Sequence, residues 1–313
     1  MSLKASTNLE KVLAAGQFAL TAEIGPPRGP DAEVVAKKAA LLKGLADAYN
    51  ITDNQTAVVR MSSIAAAKLV LDAGLEPVMQ MTCRDRNRIA MQSDLLGASA
   101  LGLRNVLAIS GDHQRAGAGG KLKGHPGAKG VYDVDSMQLL AILKGMRDEG
   151  LQASGDELTS RPAFFIGAAW TPLGPPKEFR VTRLAKKIAA GADFIQTQAV
   201  YDVKAFAQQL AQAHDQGLTE KAAILPGIIV PRSAGMLTYM HNNVPGVVVP
   251  AELTARLKGA SDPKAEGIKV TVELIQAVRE LPGVKGVHLQ AIEAEELLRE
   301  IIPAAGLTPR PQV

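Results

Sequence analysis

Eight short apolar runs, each followed by a longer helical pattern, occupy the chain from residue 18 to residue 304. The runs at 18–24, 49–52, 77–82, 105–110, 163–169, 194–200, 223–230 and 286–290 read as strands, bounded by glycine, proline or polar clusters. Helical patterns at 31–45, 62–73, 87–101, 135–149, 177–190, 203–216, 263–281 and 292–304 alternate with them, and two short helices are expected at 234–242 and 251–257. Strict alternation demands parallel strands joined by right-handed crossovers. Eight such units close a barrel, and a chain of 313 residues matches the usual size of about 250 plus insertions. The expected fold is therefore α/β, a single-domain (β/α)8 TIM barrel over 1–313, with an N-terminal extension at about 1–15 and a long βα loop at about 113–131. The competing open sheet lacks support, because no Gly-x-Gly-x-x-Gly follows the first strand. The glycine-rich stretch 117–120 follows the fourth strand without opening a helix, and reads as a mobile loop.

Composition narrows the function. Hydrophobic residues make up 47% and charged residues 21% of the chain, which suits a large buried core. The net charge of +4 is spread thinly, with no basic run interleaved with aromatics, so no nucleic-acid partner is expected. A mildly basic surface suits an anionic small molecule. Cys83 is the only cysteine, which excludes an internal disulfide and a cysteine-rich metal or iron–sulfur site on this chain. The five histidines do not fall at metal-ligand spacings, and no metal is expected. No run reaches the roughly 18 apolar residues of a membrane span, and no apolar signal core follows Met1, so the cytoplasm is the expected location.

A barrel places its working face at the carboxyl ends of its strands. Those ends carry Glu23, Thr52, Asp53, Gln80, Thr82, Gly111, Asp112, Ala169, Gln196 or Gln198, Gly227 and Gln290. Glu23 closes an apolar strand just before the rigid turn Gly25-Pro26-Pro27. Burying it should raise its pKa, and a carboxyl neutral near pH 7 serves as a general acid; the bland alternative is a glutamate that reaches solvent or pairs with Arg28. Strand six alternates Phe194, Gln196 and Gln198 on one side with Ile195, Thr197 and Ala199 on the other. An inward Gln there either grips a ring edge or satisfies barrel groups. Arg180, Arg183 and Lys187 form a basic stripe on the helix before strand six, either a solvated face or a phosphate site.

Several stretches together resemble the methylenetetrahydrofolate reductases, over about 18–307. Glu23-Ile24-Gly25-Pro26-Pro27-Arg28 is similar to that family's Glu-Phe-Phe-Pro-Pro-Arg, and Ile51-Thr52-Asp53 to its Val/Ile-Thr-Tyr. Met81-Thr82-Cys83 resembles its His-Leu-Thr segment, Ser110-Gly111-Asp112 its Arg-Gly-Asp, and Thr197-Gln198 through Tyr201-Asp202 its Thr-Gln-Phe-Phe-Phe-Asp. Leu225-Pro226-Gly227-Ile228 and Gly286-Val287-His288 resemble its last two strands. The resemblance implies a flavin-dependent barrel that reduces 5,10-methylenetetrahydrofolate to 5-methyltetrahydrofolate by hydride from reduced flavin N5, a step of one-carbon metabolism and methionine biosynthesis. It implies Glu23 as the acid that opens the folate ring, Asp112 as stabiliser of the resulting iminium cation, and Gln198 as a pterin ligand alongside both acids. The implied flavin contacts are Thr52, Gln80, Ser110, Gly111, Asp112, Tyr132, Ala169, Arg180, Arg183 and Lys187.

The departures carry their own expectations. Ser110 stands where the family has Arg, and Gln80 where it often has His. Arg180 and Arg183 replace acceptors for the adenosine half of the flavin; arginines there can clamp a phosphate, which leaves FMN beside FAD. Ala199-Val200 replaces two aromatics that in the family help hold NADH, and no aromatic follows Gly227 until Tyr239. Electrons are then expected from an iron–sulfur partner subunit, with NAD(P)H as the alternative donor, and an oligomer is expected. The competing functions are a flavin-free barrel enzyme and a barrel subunit that receives electrons only through its partner. An aldolase-like lyase would need a lysine at a strand end, and no strand carries one.

Overall fold

A computed structural model describes residues 3–115 and 124–313. The glycine-rich stretch 117–120 and Lys121, inside the expected loop 113–131, lie outside the described residues. Eight strands form one closed parallel barrel in chain order: β1 (Ala19–Ile24), β2 (Ala48–Ile51), β3 (Pro77–Thr82), β4 (Asn105–Ile109), β5 (Phe165–Trp170), β6 (Phe194–Ala199), β7 (Ala223–Ile229) and β8 (Gly286–Gln290). β8 pairs with β1 to close the ring, Leu289 beside Ala22. The helices of the outer layer are α2 (Ala32–Leu42), α3 (Ser63–Asp72), α4 (Arg88–Ala100), α5 (Ser136–Lys144), α6 (Arg180–Ala189), α7 (Val203–Asp215), α8 (Ala234–Asn243), α9 (Ala251–Gly259), α10 (Pro263–Arg279) and α11 (Leu298–Ala304). Their starts are written locally. Asp31, Ser62, Asn87, Asp202 and Asp262 each accept a backbone N–H of the first turn, and Asp135 forms a reciprocal capping box with Gln138. These caps lie in the βα connections and fix the loops of the working face.

The barrel interior is layered. At the amino-terminal end, Val78, Leu107, Phe165, Phe194 and Leu225 pack together. The Phe165 and Phe194 rings stack with centroids 5.1 Å apart. Residues of the expected N-terminal extension form a further helix, α1 (Asn8–Ala14), and its Leu9 and Val12 join this cluster and close the barrel floor. Its first amides donate to the Glu76 carboxylate, Leu9 N–H at 2.9 Å, so one half-buried acid satisfies the helix start. Above lies a polar layer. Asn50 and Gln196 exchange amide hydrogen bonds of 2.6 and 3.0 Å. Gln196 also donates to Thr21 Oγ1 at 3.0 Å, and Thr21 bonds His288 Nδ1 at 2.9 Å. All four are buried. The working face opens directly above them.

Two local departures have physical causes. The last helical pattern yields only a 3₁₀ turn at Glu295–Leu297 before α11, because Glu293 sits at φ +53, outside the helical region. The register of β6 on β7 slips between Gln196 and Ala199, where an extra residue is accommodated. The alternation expected of strand six therefore stops after Gln196.

Candidate active site

The carboxyl ends of the strands surround a cavity of about 400 Å³. Glu23, Thr52, Gln80, Ser110, Gly111, Asp112, Ala169, Lys187 and Gln198 line it, together with Thr82, Arg84, Gln196, Thr197, His288 and Gln290. The structure thus brings together nine of the twelve residues that the resemblance implied, and with them the strand-end candidates Asp53, Thr82, Gln196 and Gln290. Tyr132, Arg180 and Arg183 do not line it. Tyr132 is 41% exposed, with its hydroxyl donating to the Asp112 carbonyl at 3.4 Å. The Arg180 guanidinium donates to the carbonyls of Gly174 and Leu173, each at 2.7 Å. Arg183 donates to the Pro175 carbonyl at 3.0 Å. Both arginines hold the loop after β5.

Glu23 is 9% exposed. Its Oε2 accepts a hydrogen bond from Gln290 Nε2 at 3.0 Å, across the seam that closes the barrel. Arg28, the alternative partner, is exposed, and no ion pair reaches Glu23 among the described residues. Burial pushes the Glu23 pKa up; the Gln290 bond and the charges of Lys38 and Arg60 oppose this, while Glu295 adds to it. The site therefore holds a carboxyl biased toward its protonated form.

Asp112 is different. It is exposed at the cavity rim, and its Oδ2 accepts the Thr56 N–H at 2.8 Å. Thr56 and its neighbours Asn54 and Ala57 all take positive φ, a strained turn of the kind found where loops are shaped for binding. Arg84 ties this turn to Asp112: its guanidinium donates to the carbonyls of Asn54 and Asp112, both at 3.1 Å, and pairs with Asp85 at 2.6 Å. Below it, buried Asp53 accepts from Thr82 N–H at 2.9 Å and from Arg86 at 2.7 Å. The Arg84 and Arg86 latches were not among the residues expected from the sequence. Nothing in the run Cys83-Arg84-Asp85-Arg86-Asn87-Arg88 tells which acid each arginine meets; only the fold shows it.

The slip in β6 shapes the opposite wall. Both Thr197 and Gln198 line the cavity, as a bulge allows by re-aiming side chains. Thr197 Oγ1 accepts the Gly227 N–H at 3.0 Å. A Cβ on Gly227 would stand 2.3 Å from the Thr197 carbonyl oxygen, so only glycine permits this approach. Lys187 reaches the cavity from α6, its ammonium donating to the Ala169 carbonyl; burial pushes its pKa down, with Asp135 acting against that. His288 forms part of the floor and is kept neutral by burial, its pKa pushed down to about 4. His288 is thus a satisfied interior residue, hydrogen-bonded to Thr21. Cys83 is buried and its thiol is pushed up to about 12, so it is no nucleophile. Among the described residues, no cluster of three or more His, Cys, Asp or Glu could hold a metal, and no helix is long and apolar enough to cross a membrane.

The donor set suits a planar, hydrogen-bonding heterocycle. Thr52 Oγ1 is buried without any hydrogen-bond partner on the cavity wall, a group that a ligand would satisfy. The amides of Gln80, Gln198 and Gln290 supply both donors and acceptors around the same space. These features fit the edge of a flavin ring as well as that of a pterin.

Comparison with known proteins gives a concordant result. A family model described as methylenetetrahydrofolate reductase matches residues 8–306. A Caenorhabditis elegans protein named as a probable methylenetetrahydrofolate reductase (NADPH) is 25% identical over 262 residues, 81% of this chain and 36% of its own length. Methylenetetrahydrofolate reductase 2 of Saccharomyces cerevisiae is 25% identical over 256 residues, 79% of this chain and 39% of its own. The chain thus spans little more than a third of the curated relatives it matches. Among solved structures, a Clostridium thermocellum protein described as binding two copies of 5-methyl-5,6,7,8-tetrahydrofolic acid superposes with a TM-score of 0.62 at 15% identity, covering 95% of this chain and 97% of that one. At that identity the likeness shows the barrel fold alone.

Proposed function

The chain belongs to the methylenetetrahydrofolate reductase family, and from that premise we propose that it reduces 5,10-methylenetetrahydrofolate to 5-methyltetrahydrofolate with a bound flavin. The observation that carries the proposal is Glu23, a buried carboxyl at the end of β1 with a raised pKa and a single amide partner. In the substrate a methylene carbon bridges N5 and N10. The Gln290 amide occupies Glu23 Oε2 and leaves Oε1 to carry the proton. Glu23 donates that proton to N10, the N10–methylene bond breaks, and an iminium cation remains at N5. The Asp112 carboxylate at the rim stabilises this cation. Hydride addition at the methylene carbon then gives the N5-methyl product, so one hydride and one proton are consumed. Gln198, on the bulge of β6, binds the pterin edge.

Thr52, Gln80, Ser110, Gly111, Ala169 and Lys187 would hold the flavin, which supplies the hydride when bound. A partner subunit carrying iron–sulfur centres would supply its electrons, with NAD(P)H as the alternative donor. The end of β6 and the residue after it support the partner, because Ala199 and Val200 are buried aliphatic residues of the core and offer no aromatic platform to a nicotinamide nucleotide.

Glu23→Gln tests the assignment. The variant is expected to retain flavin and to bind 5-methyltetrahydrofolate, while folate turnover falls by roughly 10²–10⁴-fold, the usual worth of a positioned general acid. Unchanged turnover would remove Glu23 from the acid role.

A further inference from the structure

A second, smaller cavity of about 120 Å³ adjoins the first and shares Glu23 and Gln55 with it. We infer that this cavity is the subsite for the carboxylate-bearing tail of the folate, with Arg60 as its anion-binding residue. The inference rests on the folate reading above. Folate chemistry then sets the direction of the tail. The p-aminobenzoyl group is attached at N10, the atom Glu23 protonates, so the tail must leave the central cavity beside Glu23. The wall that Glu23 shares leads into the second cavity.

The lining suits such a tail. Pro26, Pro27, Val34 and Ile292 give it an apolar side, and the turn Gly25-Pro26-Pro27 keeps that side rigid. Arg60 supplies the polar end. Its Nη1 donates to the Pro26 carbonyl at 3.1 Å, which fixes the guanidinium plane. Its Nε is buried with no hydrogen-bond partner, leaving a fork that a carboxylate would complete. Burial, with Arg28 nearby, pushes the Arg60 pKa down, while Glu293 and Glu23 act the other way; the guanidinium is thus partly desolvated and near a second positive charge. Lys38 also lines the cavity, but it is ion-paired with Glu295. Glu293 lies on the rim and opposes an anion. Arg60, reinforced by Arg28, is therefore the cation left to meet the tail.

The test is calorimetric titration of the purified chain with 5-methyltetrahydrofolate and with the carboxamide of 5-methyltetrahydropteroate, whose tail ends in an uncharged amide in place of the glutamate and carries no carboxylate. The wild-type chain is expected to bind the folate roughly tenfold to a hundredfold more tightly, as a charge-assisted hydrogen bond provides. Arg60→Gln should bring that ratio close to one by weakening folate alone. If Arg60 serves only to brace the Pro26 carbonyl, the substitution will weaken both ligands equally and the inference fails. Equal wild-type affinities overturn the subsite but leave the function intact, and this result needs no variant to fold. Binding of neither ligand overturns the folate reading and the subsite with it.

Discussion

Gly227→Ala isolates the contribution of the β6 bulge to the site. The added Cβ would stand 2.3 Å from the Thr197 carbonyl oxygen, whereas ordinary contact begins at 3.4 Å. The oxygen belongs to backbone, so β6 itself must retreat by about 1 Å. Overpacking of this kind costs roughly 1–3 kcal/mol. The displaced segment carries Thr197 and Gln198, both on the cavity wall, and the Gly227 N–H bond to Thr197 Oγ1 goes with it. A displacement of this size at a substrate-positioning residue costs on the order of 10²-fold in turnover. Denaturant unfolding should therefore show a modest loss of stability. Steady-state assays should show a much larger loss of kcat/KM for the folate, with flavin content unchanged. The two readouts separate a positioning defect from unfolding. A variant of wild-type stability and wild-type kcat/KM would refute the bulge as the device that aims Gln198.

Three further outcomes are expected. The folded pKa of Glu23 lies above its ordinary 4.5, so the unfolded chain gives up this proton first and the stability Glu23 contributes at low pH is lost as pH rises above 4.5 toward the folded value. Glu23→Gln should remove that loss, becoming the more stable chain at neutral pH in denaturant titrations but not below pH 4.5; equal stability at every pH would contradict the burial argument. His288 has the opposite sign: its folded pKa of about 4 lies below its ordinary 6.5, so its contribution is intact above 6.5 and is lost as pH falls toward 4, by roughly 3 kcal/mol in all. His288→Asn should flatten acid destabilisation in that window, and an unchanged pH profile would show that another group is responsible. Phe194→Ala, which empties a fully buried position stacked on Phe165, should cost about 3–5 kcal/mol in chemical denaturation, and a much smaller cost would mean that α1 collapses into the gap.

The barrel was legible because its strands are buried on both faces. Such strands read as apolar runs, and the helices between them read at a different period. The expected bounds of β3 and β8 coincide with the structure. The helix α1 was not legible, since seven residues carry too little periodicity and its apolar side acquires meaning only against the barrel floor. Strand ends pointed to most of the cavity wall, Glu23, Thr52, Gln80, Thr82, Asp112 and Gln290 among them, because parallel topology alone puts strand carboxyl ends on one face. Pairings were hidden. Glu23 and Gln290 are 267 positions apart and meet only because the ring closes between β1 and β8. The β6 bulge was equally hidden, as the alternation of Gln196 and Gln198 looks regular until register with β7 is known. Arg180 and Arg183 share a helical stripe with Lys187, but only Lys187 reaches the cavity; the two arginines turn to loop carbonyls that no spacing rule discloses.

The central claim is that this barrel itself transfers hydride between flavin and folate, with Glu23 handling the proton. The most direct measurement is the visible absorption of the flavin-loaded chain after anaerobic addition of 5-methyltetrahydrofolate, the reaction run in reverse. The account predicts bleaching of the flavin band and formation of 5,10-methylenetetrahydrofolate in equal amount, with Glu23→Gln bleaching far more slowly at the same flavin content. A chain that takes up no flavin, or one whose flavin band stays unchanged while the folate is bound, would contradict it.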